Sequence, residues 1–338
     1  MTLKINNTKF DFFNRFSVQL RYNSVGSAFS FDAYFNTEND EHKKLLKPLR
    51  YARCVVEHEG ETLITGTLLN NTFKSAPQKQ LTSLSGYSVT GVLEDCETFE
   101  PLQSDGLTLK QVAEKLLKPF GISMVIADAV KTKMDETFTV TTANEKQSVK
   151  SYLTELAAQK NIIISHTAGG SLLFTVANAS QKPVLHFDGG IPGTEMSIAI
   201  NGQAMHSEIK VVAQADTESA NTAENSVTNP FVLVYRPKLI VQSSGTDNDT
   251  LQAAKNVRAD ELKNIKLTIS TDRWLIDGKV IKPNMVISVH NHELFLYKKT
   301  NWFVESVKLD GDSTKTTAVL ECVLPEVYNG NEPVNIFN

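Results

Sequence analysis

Gly86-Tyr87-Ser88-Val89-Thr90-Gly91-Val92-Leu93-Glu94-Asp95-Cys96 decides how this chain is read. Tyr87, Val89 and Leu93 fall on one side of an extended segment, and Ser88 and Thr90 on the other. Gly86 and Gly91 interrupt the run, where glycine marks a bulge, a bend or a close backbone approach. Glu94 and Asp95 end it, and a helical pattern follows. The reading predicts a strand through Leu93 that closes a first β-region at its exit into another domain.

Upstream, Phe16, Val18, Leu20 and Tyr22 alternate with polar residues, as do Phe29, Phe31, Ala33 and Phe35. Both runs predict half-buried strands. Asn36 to Lys47 is polar and ends at Pro48. Arg53 to Glu57 and Thr62 to Leu69 flank His58-Glu59-Gly60-Glu61, a hairpin signal. After the Ser75-Ala76-Pro77-Gln78 loop the chain returns through Leu81. Five or so strands in this stretch predict a small antiparallel barrel or sandwich.

Downstream, Thr108-Leu109-Lys110-Gln111 fits a capping box. Leu109, Val112, Ala113, Leu116 and Leu117 then share one helical face, and Pro119 stops the helix. Phe120 to Ile126 reads as a strand. The pattern recurs with Val149, Tyr152, Leu153, Leu156 and Ala157, where Asn161 replaces Gly121 and Ile162 and Ile164 replace Ile122 and Met124. Gly and Asn both tolerate the left-handed conformation at a helix end. A hairpin through Ala168-Gly169-Gly170 follows. Asp188 to Gly193 reads as a loop at a domain boundary.

A second β-region opens with Met196, Ile198 and Ile200, then Ile209, Val211 and Ala213. Gln214 to Asn229 has little to bury and reads as an exposed loop. Phe231 to Val241 reads as a strand interrupted by Pro237. Asp249 and Thr250 precede a helix whose apolar positions are Leu251, Ala254, Val257, Leu262 and Ile265. Strands follow at Leu267–Ser270, Met285–Val289, Leu294–Lys298, Trp302–Leu309 and Thr317–Leu324, with turn signals at Asp277-Gly278 and Lys282-Pro283-Asn284. The expected class is α+β, mainly β: two small antiparallel barrel-like domains, 1–98 and 189–328, flank an α/β insert at 99–188, and 329–338 is a loose tail. The second β-domain carries the helix near 250–265.

The chain's 338 residues allow two or three domains, and 41% hydrophobic residues suffice for real cores. A net charge of -4 argues against a basic nucleic-acid binder. Cys54, Cys96 and Cys322 are far apart and form no C-x-x-C pair, which favours free thiols over a metal or disulfide framework. Met1 to Asn7 has no apolar signal core, and no stretch approaches the ~20 apolar residues of a membrane span. A soluble product made in the cytoplasm is expected.

Few residues invite a chemical reading. His290-Asn291-His292-Glu293 sets two imidazoles on one side of a strand, with no third ligand at a meaningful spacing. Glu94, Asp95 and Glu97 suggest paired carboxylates, but adjacent acids diverge and suit a solvated element end. Ser85-Gly86 and Gly202 build no nucleophile elbow. Asp188-Gly189-Gly190-Ile191-Pro192-Gly193 lacks the Lys-Ser/Thr of a P-loop. Phe29, Phe31 and Phe35 alternate as core residues rather than base-stacking ones. The expectation is no catalytic, cofactor or metal site, and no enzyme; subunit-contact residues are not readable.

The order of parts resembles the baseplate hub proteins of contractile phage tails, of the Mu-like prophage 43 kDa tail protein and T4 hub-like kind. One anchor is Gly86 to Cys96. The other runs through the helix Ala253 to Ile265 with Arg258 and Glu261, then Thr268 to Trp274, Asp277-Gly278, Pro283-Asn284, Val286, Val289, Val304 to Val307, Leu320 and Pro325. Lys282 stands where that family often has an aromatic residue. The resemblance implies a homotrimer with two related barrels per subunit. The ring would have pseudo-sixfold symmetry, join a hexameric tail tube to a trimeric central spike, and let DNA pass. It implies spike, tube and other baseplate proteins as partners, without sequence-specific nucleic-acid binding or membrane insertion. The site of action would be the virion tail baseplate, with assembly in the host bacterial cytoplasm. Two alternatives stand beside it: the hub of a type VI or pyocin-like injection system, and a cell-surface carbohydrate-binding module.

Overall fold

The computed structural model describes residues 1–75, 81–99, 103–138, 141–213, 223–242 and 250–338. The chain divides into two compact units. The first comprises Met1–Ala177, Asp272–Pro283 and Ser306–Val319; the second comprises Asn178–Thr271, Asn284–Glu305 and Leu320–Asn338.

The first unit is built on an antiparallel sheet. Phe13–Arg21 pairs with Ala28–Tyr34 and with residues 306–312 of the long strand Leu296–Asp312. Ala28–Tyr34 pairs onward with Leu81–Ser88, and that strand with Glu61–Thr72. Arg53–His58, Thr2–Ile5 and Thr8–Phe10 complete the order. Alternation dictates which side is buried: Phe16, Val18, Leu20, Phe29, Phe31 and Leu84 lie inside, while Ser17, Gln19, Ser30 and Ser85 line the other face. The path is open at both ends, so no barrel closes among the described residues. The polar stretch before Pro48 contains a short helix, Asp40–Leu45, because Asn39 Oδ1 accepts from the Glu41 and His42 N–H groups. Residues 76–78 of the expected Ser75–Gln78 loop lie outside the described residues.

The strand expected through Leu93 ends at Ser88. Val89–Gly91 is a 3-10 turn and Val92–Asp95 a helical turn. The two glycines account for this. A Cβ on Gly86 would lie 1.9 Å from the Thr67 carbonyl oxygen, so only glycine permits that strand pairing. A Cβ on Gly91 would lie 2.5 Å from the Tyr87 ring, so the chain can fold back over the tyrosine only there. Leu93 is thereby carried out of the strand pattern and into the core of the α/β part.

That part contains the twofold helix–turn–strand pattern. Helices Leu109–Leu117 and Val149–Gln159 bury the five apolar side chains expected of each. The capping box forms: the Gln111 N–H donates to Thr108 Oγ1 at 3.2 Å, and the Thr108 N–H donates to Gln111 Oε1 at 2.9 Å. Both helices end alike. Gly121 and Asn161 sit at φ 64° and 52°, and the Ile122 and Ile162 N–H groups donate back to Leu117 O and Ala157 O. Strands Met124–Ile126 and Ile163–His166 flank Leu172–Thr175, the first parallel to it and the second antiparallel. Elsewhere in this unit, Asp277 and Gly278, both at positive φ, turn the hairpin Leu275–Ile276 to Lys279–Val280.

The second unit is mixed rather than purely antiparallel. Leu185–Asp188 runs parallel to Val286–Asn291, which pairs antiparallel with the start of Leu296–Asp312. That last element is one continuous strand where two, Leu294–Lys298 and Trp302–Leu309, were expected. Thr194–Ile200 pairs with Ile265–Thr271. A separate sheet sets Glu208–Ala213 between Glu224–Thr228 and Pro237–Gln242, the latter parallel to it. Helix Thr250–Leu262 packs on that sheet through Ala254 against Ile209, Val211 and Val227.

Three expectations change here. Glu224–Thr228, expected within a loop, is a strand with Val227 buried; residues 214–222 lie outside the described residues, as does Asp249. The strand expected from Phe231 begins only at Pro237, because proline is tolerated at the first position of an edge strand and residues 231–236 turn. On the helix, Leu251 is exposed while Arg258 and Glu261 are buried.

Candidate functional site

The acids at the first anchor go to structural partners. Glu94 Oε1 accepts from Lys150 Nζ at 2.6 Å, and Asp95 Oδ2 accepts from the Tyr87 hydroxyl at 2.5 Å. The two carboxylates therefore serve different neighbours and form no acid/base pair. Burial, then Asp95, pushes the Tyr87 hydroxyl well above its ordinary value. Glu97 bridges to Ser148 through the backbone.

Beside this anchor the outer sheet face of the first unit forms an open cleft of about 760 Å³. Its floor is Ser17, Ser30, Ser85 and Gly86; Tyr51 and Tyr87 stand in its wall. The described lining holds no imidazole, amine or thiol. Such a surface can offer hydrogen bonds to a partner, and its one carboxylate, Asp95, is engaged with the Tyr87 hydroxyl. Ser85-Gly86 thus sits on a sheet face, not on a nucleophile elbow.

The α/β part of this unit is tied to the sheet by a histidine that sequence reading did not single out. His166 Nδ1 donates to the Ser24 carbonyl at 2.9 Å, and Nε2 accepts from the Ser27 hydroxyl at 2.8 Å. Those partners fix the neutral tautomer, and burial lowers the imidazole below its ordinary value. Ser165 Oγ donates to the Tyr22 carbonyl, and the Thr65 N–H donates to Ala168 O at 2.8 Å.

In the second unit, His290 and His292 do approach, with ring centroids 5.0 Å apart and nearly perpendicular. His290 Nδ1 lies 3.5 Å from Asp188 Oδ1. The same oxygen is 3.0 Å from His186 Nε2, whose Nδ1 is 2.7 Å from Ser288 Oγ. His186 first, then His290, holds the Asp188 carboxyl below its ordinary value. Ser288, His186 and Asp188 form a hydroxyl–imidazole–carboxylate line, but Ser288 is buried and the line ties two parallel strands. Sequence spacing could not find it, because His186 and Ser288 meet only through that strand pairing. Among the described residues no group of three or more His, Cys, Asp or Glu is arranged to hold a metal ion. Among the same residues no helix is long and apolar enough to cross a membrane.

The polar side of helix Thr250–Leu262 carries a second network, centred on the buried Arg258 and Glu261. Glu261 accepts from the His206 N–H at 2.9 Å, from His206 Nδ1 at 2.7 Å and from Lys238 Nζ at 3.0 Å. Arg258 donates to Thr228 O at 3.0 Å and pairs with Glu332 at 2.5 Å. The tail is met again where Asn335 Nδ2 donates to Pro230 O at 3.2 Å. Every charge in this network has a partner inside the unit. Exposed apolar side chains include Leu49 and Tyr51 in the first unit and Leu233, Val234 and Tyr235 in the second.

Known proteins match this architecture. Residues 90–176 match the family model described as baseplate hub protein gp44-like, second domain. The match begins inside the Gly86–Cys96 stretch and spans the α/β part. No curated protein matches the chain. Among solved structures, the 43 kDa tail protein of prophage MuSo2 from Shewanella oneidensis is similar over 97% of this chain and 98% of its own, at 21% identity and a TM-score of 0.79. A tail protein from Neisseria meningitidis MC58 is similar over 97% of both chains, at 18% identity and a TM-score of 0.78. The E. coli c3393 protein, a component of the type VI secretion system, is similar over 99% of this chain and 80% of its own, at 10% identity and a TM-score of 0.57. Residues 90–176 are thus similar to the second domain of gp44-like baseplate hub proteins, and the fold of the chain is similar to that of the two tail proteins.

Proposed function

We propose that this protein is the structural hub of a contractile phage tail baseplate. One observation carries the reading: the hub-family match at 90–176 sits inside a fold that follows a prophage tail protein from end to end. Three copies form a ring, with residues 1–98 and 189–328 as two β-rich blocks per copy and 99–188 as the part between them. The ring joins a sixfold tail tube to a threefold central spike, and its other partners are baseplate proteins. It acts in the virion tail after assembly in the host cytoplasm. Its role is mechanical, without chemistry of its own: the charged clusters described above are satisfied within the fold. A net charge of -4 suits a conduit that DNA must pass without being gripped.

The likeness to the type VI component supports a second reading, the hub of a related injection machine with the same ring. The carbohydrate-binding alternative has no such support. Light scattering on the purified chain tests the reading. A mass of three subunits, each 37.4 kDa, at micromolar concentration is expected. A strict monomer that stays monomeric when a trimeric spike is added counts against it.

A further inference from the structure

We propose that the loop Leu233-Val234-Tyr235 and the free edge of strand Pro237–Gln242 form the seat for a second copy of this chain. The choice of a copy as the occupant rests on the ring reading above.

Among the described residues the strand edge is unguarded: Pro237–Gln242 pairs with Glu208–Ala213 on one side and ends its sheet on the other. Ile240 packs toward helix Thr250–Leu262, while Leu239 and Val241 point away from it and are 64% and 61% exposed. In register beside them on that outer face stand Lys210 and Val212. Free edges are normally blunted by charge, proline or a bulge, since their unpaired N–H and C=O groups recruit other strands. Pro237 protects only the first position here. The strand's one charged residue, Lys238, is committed to Glu261 at 3.0 Å and does not guard the edge.

The preceding loop is a fixed apolar projection. Leu233, Val234 and Tyr235 are 85%, 65% and 85% exposed. Three consecutive exposed apolar residues are a fault in a free monomer unless they serve an interaction. Both ends of the loop are fastened. The Phe231 N–H donates to Asn229 Oδ1 at 3.1 Å and the Val232 N–H to Asn229 O at 3.2 Å. The Arg236 N–H donates to Ser207 Oγ at 2.9 Å, its Nε to Met205 O at 3.1 Å and its Nη2 to Gln203 O at 2.9 Å. A projection ordered in advance loses little entropy on docking.

The area fits a lasting contact. At about 60–120 Å² for each Leu or Val and roughly 200 Å² for Tyr, the five side chains expose on the order of 500 Å². A standard interface covers about 800 Å² per partner, a little over half of it apolar, so this face supplies the apolar share of one. A closed ring gives every copy the same neighbour, so such a face is covered once in each copy and the exposed edge cannot propagate into fibres.

The test uses the full chain and two surface variants, Leu239→Lys and Tyr235→Glu. Each adds a charge at an exposed side chain, and thermal melts check that the fold is kept. Sedimentation and light scattering over a micromolar dilution series should show association weakened at least tenfold in both. Leu233→Ser, which adds no charge, replaces any variant that fails to fold. Unchanged trimer mass in the folded variants overturns this seat and leaves the hub reading intact. Variants that stay trimeric and lose only a foreign protein overturn it as well. A wild-type chain that is monomeric throughout the series overturns the seat and the ring together.

Discussion

Helices Leu109–Leu117 and Val149–Gln159 of the first unit and helix Thr250–Leu262 of the second solve the same problem by opposite means. The first two bury an apolar stripe: Leu109, Val112, Ala113, Leu116 and Leu117 on one, Val149, Tyr152, Leu153, Leu156 and Ala157 on the other. The third buries Ala254 and Leu262 together with Arg258 and Glu261. One attachment is non-directional and follows area buried. The other depends on a few hydrogen-bonded charges whose partners lie on other elements. A buried pair of this kind adds little net stability when intact, but removing one member is costly because it strands the others.

The largest expected effect is on the apolar side. Leu153→Ala leaves a cavity in the core cluster that also holds Leu109, Leu116 and Leu156 and should cost about 2–5 kcal/mol, read by denaturant unfolding. A loss below about 1 kcal/mol would mean that this seam does not hold the α/β part. Next comes Glu261→Gln, which keeps the shape but removes the charge that His206 and Lys238 share. Both of those partners reach solvent in part, so the loss should be about 2 kcal/mol rather than the larger figure for fully buried pairs. Local hydrogen exchange should place that loss in the sheet of the second unit and leave helix Val149–Gln159 as protected as before. Equal deprotection of both regions would erase the contrast.

The smallest effect is a pH slope. Burial lowers the His166 imidazole, so the unfolded chain takes up its proton first. Its contribution is therefore fully present above the unfolded value of about 6.5 and is lost as pH falls through the folded value. Stability of the first unit should decline on acidification below about pH 6.5, and His166→Asn should flatten that decline. An identical slope in the variant would remove His166 as its cause.

The same contrast explains what could be read in advance. Every apolar residue assigned to the first two helices is buried, and both left-handed helix ends fall at Gly121 and Asn161. Those features are local: a period of 3.6, a capping box and a glycine or asparagine at the end specify them within about a dozen residues. The Gly86–Cys96 stretch was legible only in part. Its glycines do mark close approaches, but the exit from strand to helix at Val89 depends on Tyr87 folding over Gly91, which alternation cannot show. In the second unit the helix at Thr250 was visible and its burial was not, because Glu261 is satisfied by His206 and Lys238 from distant parts of the chain. The line from Ser288 through His186 to Asp188 needs a parallel strand pairing across about a hundred residues of chain, and no spacing announces it. The exposed run Leu233-Val234-Tyr235 looked like strand for the same reason: apolar residues before a proline read as extended whether or not anything covers them.

Electron micrographs of the purified, full-length protein bear most directly on the hub. Class averages should show threefold particles with an open centre, their outline approaching six lobes. Particles with a filled centre, or single subunits at every concentration imaged, would contradict the account.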